Sequence, residues 1–159
     1  MENFGKLGRD RVTGFEEVII AMGIHLSGCS TLALAPRAKE GEKRNSQWFD
    51  MERIEIVGEG IAADLAKSEK PGNANEKLGK IGKDKINDFQ GVIVAKIINL
   101  YGSDGLALEA KAKDGKCELA RVFDEGRIEI LDEGGIAAEE VRASKPGGVD
   151  LGSPDDRDF

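Results

Sequence analysis

Apolar and polar residues alternate with a period of two along most of the first sixty positions. "RDRVTGF" (9–15) reads as a short strand entering a Thr-Gly turn, and "EEVIIAMGIHL" (16–26) as a longer strand. "TLALAPRA" (31–38) alternates, "KEGEK" (39–43) is a glycine-containing hairpin turn, and "RIEIV" (53–57) alternates again. The period of 3.6 expected of an amphipathic helix is missing. The pattern predicts four or five short strands.

The same pattern is then written a second time. "GKLGRDRVTGFEEVIIA" (5–21) matches "GKIGKDKINDFQGVIVA" (79–95), and "FDMERIEIVGEG" (49–60) matches "FDEGRIEILDEG" (123–134). One offset of 74 aligns 5–60 with 79–134 without a gap, with 25 identities in 56 positions. After one inserted residue, Gly135, the following segments pair as well, "IAADLAKSEKPG" (61–72) with "IAAEEVRASKPG" (136–147). A duplication of this kind predicts two copies of one unit. Strands this short, with so little helix, predict an all-β protein of two tandem small SH3-like barrels. The expected divisions are a first repeat over 1–60, a linker over 61–78, a second repeat over 79–134, and a coda with a flexible acidic tail over 135–159. Units of this size bury little, so they should pack on each other or on another chain, and a homo-oligomer fits that need. Phe15, Val18, Ile20, Leu32, Leu34, Phe49, Ile54 and Ile56 are the expected core of the first copy. Their twins are Phe89, Val92, Val94, Leu106, Leu108, Phe123, Ile128 and Ile130.

Charge narrows the choice of partner. The net charge is −7, and residues 132–159 hold eight acids against three bases, which leaves −2 for the rest. Neither part has the basic bias that a phosphate backbone attracts, so a nucleic acid is not the expected partner. The longest apolar stretch, "VIIAMGIHL" (18–26), is too short to span a bilayer, and "MENFGKLGRD" lacks the apolar region of a signal peptide. Two cysteines far apart in sequence suit a reducing compartment, so a cytoplasmic location is expected.

Candidate chemistry is sparse. "IEIVGEGIAAD" (54–64) contains Gly-x-Gly-x-x-Ala, the opening of a dinucleotide-binding turn. Such a turn needs a helix and then a second parallel strand ending in an acid, and "LAKSEKPGNANEKLG" (65–79) offers no strand. In the second copy Asp132 replaces Gly58 and would repel a pyrophosphate. The motif therefore reads as a strand end, and no cofactor is expected. The one histidine, His25, and Cys29 supply too few ligands for zinc, and the second copy has Asn99 and Ser103 in their places. A Cys–His nucleophile lacks a third, orienting group, so no catalytic residue and no enzyme activity is expected. Both copies keep an acid and an arginine three apart, Asp50/Arg53 and Asp124/Arg127. Those pairs are expected to fix the entry to the last strand by a charge-assisted hydrogen bond.

Asp10, Val12, Thr13, Gly14 and Phe15, then Leu26, Gly28 and Cys29, then Trp48, Phe49, Asp50 and Arg53, resemble a pattern in short uncharacterised proteins of bacteriophages and prophages. The pattern runs Lys-Asp-x-Val-Thr-Gly-Phe-x-Gly, Leu-x-Gly-Cys, Trp-Phe-Asp-Glu-x-Arg, often with a Lys-Pro-Gly-Gly tail. The first copy departs from it at Glu17 and Met51; the second keeps Gly91 and Glu125 but loses the cysteine and the tryptophan. The resemblance covers nearly the whole chain in two passes. It implies a mobile-element origin and a place in the bacterial host cytoplasm or on the virion, and no activity.

The functional expectation is a non-enzymatic phage-type protein that binds a protein partner, or sequesters a small host molecule to blunt a defence, through its loops. A nucleic-acid-associated module and a Cys/His enzyme are the alternatives. The copies differ most at "HLSGCST" (25–31) against "NLYGSDG" (99–105) and at "RNSQW" (44–48) against "ELARV" (118–122). The expected ligand-binding residues are His25, Cys29 and Trp48 in the first copy and Tyr101 in the second.

Overall fold

The structure is a computed structural model. It describes residues 3–36, 45–61 and 76–141. Most of the expected linker, and the expected tail beyond 141, lie outside the described residues.

The all-β expectation holds. The first half runs β1 (Leu7–Asp10), β2 (Glu16–His25), β3 (Ser30–Ala35), β4 (Gln47–Asp50), a 3-10 turn over Met51–Arg53, and β5 (Ile54–Gly58). The second runs β6 (Lys80–Asp84), β7 (Gln90–Asn99), β8 (Gly105–Glu109), β9 (Arg121–Asp124), a 3-10 turn over Glu125–Arg127, and β10 (Ile128–Gly135). One helical turn, α1 (Ala138–Val141), follows. Ladders join β10-β6-β7-β2-β1-β5, with β3 and β4 branching from β2 and β8 and β9 from β7. All described pairings are antiparallel. The sheet is open, since among the described residues no ladder joins β4 to β5 or β9 to β10.

The two halves meet along the middle of this sheet. β1 pairs with β2 at Glu16–Val18, while β7 takes the same edge at Ala21–His25 and β3 runs along the other. Across the β2–β7 ladder, Ala21 faces Asn99, Met22 faces Ile98, Gly23 faces Ile97, Ile24 faces Lys96 and His25 faces Ala95. Asn99 is 74 residues beyond His25 and Ala95 is 74 beyond Ala21, so the ladder maps onto itself when the copies are exchanged. Its centre is Gly23 opposite Ile97, which align with each other. The flanking bonds obey the same exchange: Leu26 N–H donates to Val94 O at 2.7 Å, and Leu100 N–H donates to Ile20 O at 2.7 Å. The chain is built as a two-fold dimer is built, within one polypeptide.

Each half has its own core. Ile19, Leu32, Leu34, Phe49 and Ile54 form one cluster, and Ile93, Leu106, Leu108, Phe123 and Ile128 the other. Phe15 tilts against Phe49 at 5.6 Å between ring centres, and Phe89 against Phe123 at 5.5 Å. In the long strand Val18 is buried as expected, but the rest of the expected core was out of phase. Ile19 and Ile93 are fully buried, whereas Ile20, Val92 and Val94 are half-buried. The register of β2 against β3 shifts between Ile19 and Ala21, and that of β7 against β8 between Ile93 and Ala95. A bulge exchanges the faces on its two sides, so one alternating reading cannot serve the whole strand. Ile56 is 41% exposed and is not core.

The glycine motif proves to be a packing device. A Cβ on Gly60 would sit 2.0 Å from Gly5 O, and Ile61 N–H donates to that same carbonyl at 2.7 Å. The second half repeats this, with Ile136 N–H on Gly79 O at 2.8 Å. The glycine lets the chain leaving the last strand cross tightly over the chain entering the first.

Candidate ligand-binding face

Side chains paired across a strand ladder share a face, so the registers define what lies opposite the cores. One row runs Asp50, Thr31, Gly23, Ile97, Gly105, Asp124. Beside it lie Trp48, Ala33, Ala21 and Asn99 on one flank, and His25, Ala95, Ala107 and Val122 on the other. Six of these fourteen positions are alanine or glycine, and Ile97 stands beside Gly23 in the middle of the row.

His25 and Trp48 come together over Gly23. A methyl on Gly23 would lie 2.7 Å from Thr31 Oγ1, 3.1 Å from His25 Nε2 and 3.4 Å from the Trp48 ring. His25 Nε2 and Thr31 Oγ1 are themselves 3.0 Å apart, within hydrogen-bond distance. Burial pushes the His25 imidazole below its ordinary value, partly offset by Asp50. Trp48 remains 46% exposed.

The second half fills the same space differently. Ile97 stands where Gly23 does, Gly105 where Thr31 does, and Val122 where Trp48 does. A Cβ on Gly105 would lie 3.0 Å from Val122 and 3.8 Å from Ile97. A large residue over a small one in the first copy has become two medium ones in the second. Neither Gly23 nor Thr31 was among the expected site residues, yet the joint change at 23, 31 and 48 against 97, 105 and 122 is visible in the alignment of the copies.

The other two expected residues lie apart from this pair. Cys29 is a free, half-buried thiol in the β2–β3 turn, joined to His25 only by the backbone, where His25 N–H donates to Cys29 O at 3.0 Å. Tyr101 is half-exposed in the β7–β8 turn of the second half. Among the described residues no group of three His, Cys, Asp or Glu side chains is placed to hold a metal ion. No described helix is long and apolar enough to cross a membrane.

The strongest polar constellation among the described residues holds the fold. Arg53 donates to both oxygens of Asp10, at 2.9 and 2.7 Å, and Thr13 donates to Asp10 through its backbone N–H at 2.9 Å and through its hydroxyl. Arg127 grips Asp84 in the same way at 2.9 and 2.6 Å, with Asn87 N–H donating at 3.2 Å. The expected partner of Arg53 was Asp50. The carboxylate it binds is Asp10, because Asp10 is fully buried and needs a bidentate cation, whereas Asp50 is half-exposed. Each lock ties the β1–β2 or β6–β7 turn to the 3-10 turn before the last strand, which accounts for the Thr-Gly and Phe-Asp-x-x-Arg motifs structurally.

No known family model matches the chain, and no curated protein or solved structure shows significant similarity to it.

Proposed function

We propose that this chain is a non-enzymatic binding protein of phage type, two SH3-like barrel units joined as an intramolecular dimer, which docks a protein partner on the face around Trp48. The barrel reading is supported by the matching strand orders, β5-β1-β2-β3-β4 in the first half and β10-β6-β7-β8-β9 in the second, each with a 3-10 turn before the last strand. The phage reading rests on the sequence resemblance alone. The observation that carries the binding role is the exposed Trp48 ring beside His25 above a side-chain-free Gly23. A tryptophan at such a place offers a large contact area at little entropic cost and is a frequent anchor of protein interfaces. The acids Asp50 and Asp124 at its two ends disfavour a nucleic-acid backbone there.

Trp48 is the only tryptophan in the chain, so its emission reports on this face directly. Native mass spectrometry of the protein purified from bacterial cytosol should show a bound partner that shifts Trp48 emission on addition to the free protein. The Trp48→Ala variant, folded as judged by circular dichroism, should lose that partner. A partner held equally well by the variant would place the interface elsewhere.

A further inference from the structure

The second half carries a cleft of about 1220 Å³ that includes none of His25, Cys29, Trp48 or Tyr101. Ile81, Phe89, Val92 and Ile136 give it an apolar floor. Its rim is basic. Lys111, Lys113, Lys116 and Arg121 line it against a single acid, Glu118. On a chain of net charge −7 this is a local excess of positive charge facing an apolar surface.

The arrangement of these charges is unfavourable on its own. Lys113 and Lys116 pair across a tight turn, N–H to O at 3.0 and 2.8 Å in the two directions, with Asp114 and Gly115 at φ of 51 and 72 between them. Cross-strand partners share a face, so the two ammonium groups are held on one side, and like charges directly opposite destabilise a pair. Lys111 lines the same cleft. No ion pair is formed by Lys111, Lys113 or Lys116 among the described residues. Arg121 is placed differently: its guanidinium lies 4.8 Å above the centre of the Phe89 ring and 3.7 Å from Glu118. The first half has Gln47 at the position of Arg121, so this stacked pair belongs to the second half only.

We propose that this cleft binds a nucleotide-like anion, a flat ring carrying one or more phosphates. The ring rests on the floor beside Phe89, and the phosphates take the charges of Lys111, Lys113, Lys116 and Arg121. Phosphate would relieve the lysine repulsion, and a planar guanidinium already fixed over a ring is pre-ordered to receive it. The cavity exceeds the range of about 300–1,000 Å³ typical of small-molecule pockets, so a nucleotide fits with water around it.

The test is titration of the full-length protein with a fluorescent N-methylanthraniloyl ATP, followed by competition. Saturable binding is expected, displaced by ATP, displaced less well by inorganic pyrophosphate, and weakened by salt. Lys113→Gln with Lys116→Gln, and separately Arg121→Ala, should each weaken it about tenfold or more, as loss of charge-assisted contacts does. Both alter exposed side chains, and cooperative thermal melts with the parent's circular dichroism will establish that the variants are folded. Trp48→Ala should bind the probe as the parent does, which separates this site from the protein-docking face. Absence of saturable binding, or unchanged affinity in both cleft variants, would overturn the proposal. So would a single-stranded oligonucleotide that binds the cleft more tightly than ATP, since the site would then serve a nucleic-acid strand.

Discussion

Gly23 faces Ile97 at the centre of the ladder that joins the two halves, although the two are equivalent positions of the duplicated sequence. A symmetric contact has thus become asymmetric at its axis, and the asymmetry is compensated nearby. Gly23→Ile alone should be destabilising, because its Cβ would fall 2.7 Å from Thr31 Oγ1 and 3.1 Å from His25 Nε2. The triple variant Gly23→Ile, Thr31→Gly, Trp48→Val copies the second half's solution and should recover much of the loss. Coupling among residues in contact is of order 0.5–3 kcal/mol. Urea denaturation of parent, single and triple variants measures it, and strictly additive effects would show that the three positions do not pack as one group.

A second exchange lies on the core side. Met22 and Met51 pack against the first core, and their twins are Lys96 and Glu125. Lys96 Nζ lies 3.4 Å and Lys77 Nζ 2.7 Å from Glu125 Oε1, with the Lys96 side chain only 11% exposed. Removing one partner leaves a mostly buried charge, whereas replacing the pair by apolar residues of similar volume is often neutral or better. Glu125→Met alone should cost about 1–3 kcal/mol, the usual penalty for an unsatisfied buried polar group. Lys96→Met with Glu125→Met, which transplants the first half's pair, should be at least as stable as the parent. Thermal melts of the three proteins decide it.

The fold class was legible because alternation survives duplication: each strand is read twice, and positions shared by both copies, such as Leu32/Leu106 and Phe49/Phe123, are core in both. The phase of the long strand was not legible. "EEVIIAMGIHL" is apolar on both faces, and a bulge leaves no mark in such a run. The partner of Arg53 was hidden for a different reason. Asp10 is 43 residues away in sequence, and only the closure of the β1–β5 ladder brings it near. The His25–Trp48 pairing rested on long-range register as well, while the cleft's lysines read as an ordinary solvated hairpin.

The phase correction has its own measurable consequence. Ile19→Ala and Ile93→Ala remove fully buried side chains and should each cost about 2–5 kcal/mol. Ile56→Ala, at an exposed position, should cost well under that. Denaturant midpoints that rank Ile56 above Ile19 would place the bulge, and with it the whole inner face, in the wrong register.

The Asp10–Arg53 lock links folding to acid. The Arg53 guanidinium holds the Asp10 carboxyl well below the usual carboxylate range, against the opposing push of burial, with Thr13 adding to the downward shift. Asp84 is lowered in the same way, first by Arg127. A carboxyl whose folded pKa lies below its unfolded value of about 3.9 stabilises the fold above that value. That contribution is lost as pH falls from about 4 through the folded pKa, because the unfolded chain then binds the proton first. In Arg53→Gln the largest downward cause is gone and burial remains, so Asp10 gives up little when it is protonated. The variant should therefore be much less stable than the parent at pH 7, and the gap in urea midpoint should narrow as pH falls from about 4 toward 2. A gap of constant size across that window would mean that Asp10 and Arg53 do not exchange charge stabilisation in solution, and that the lock is a matter of shape alone.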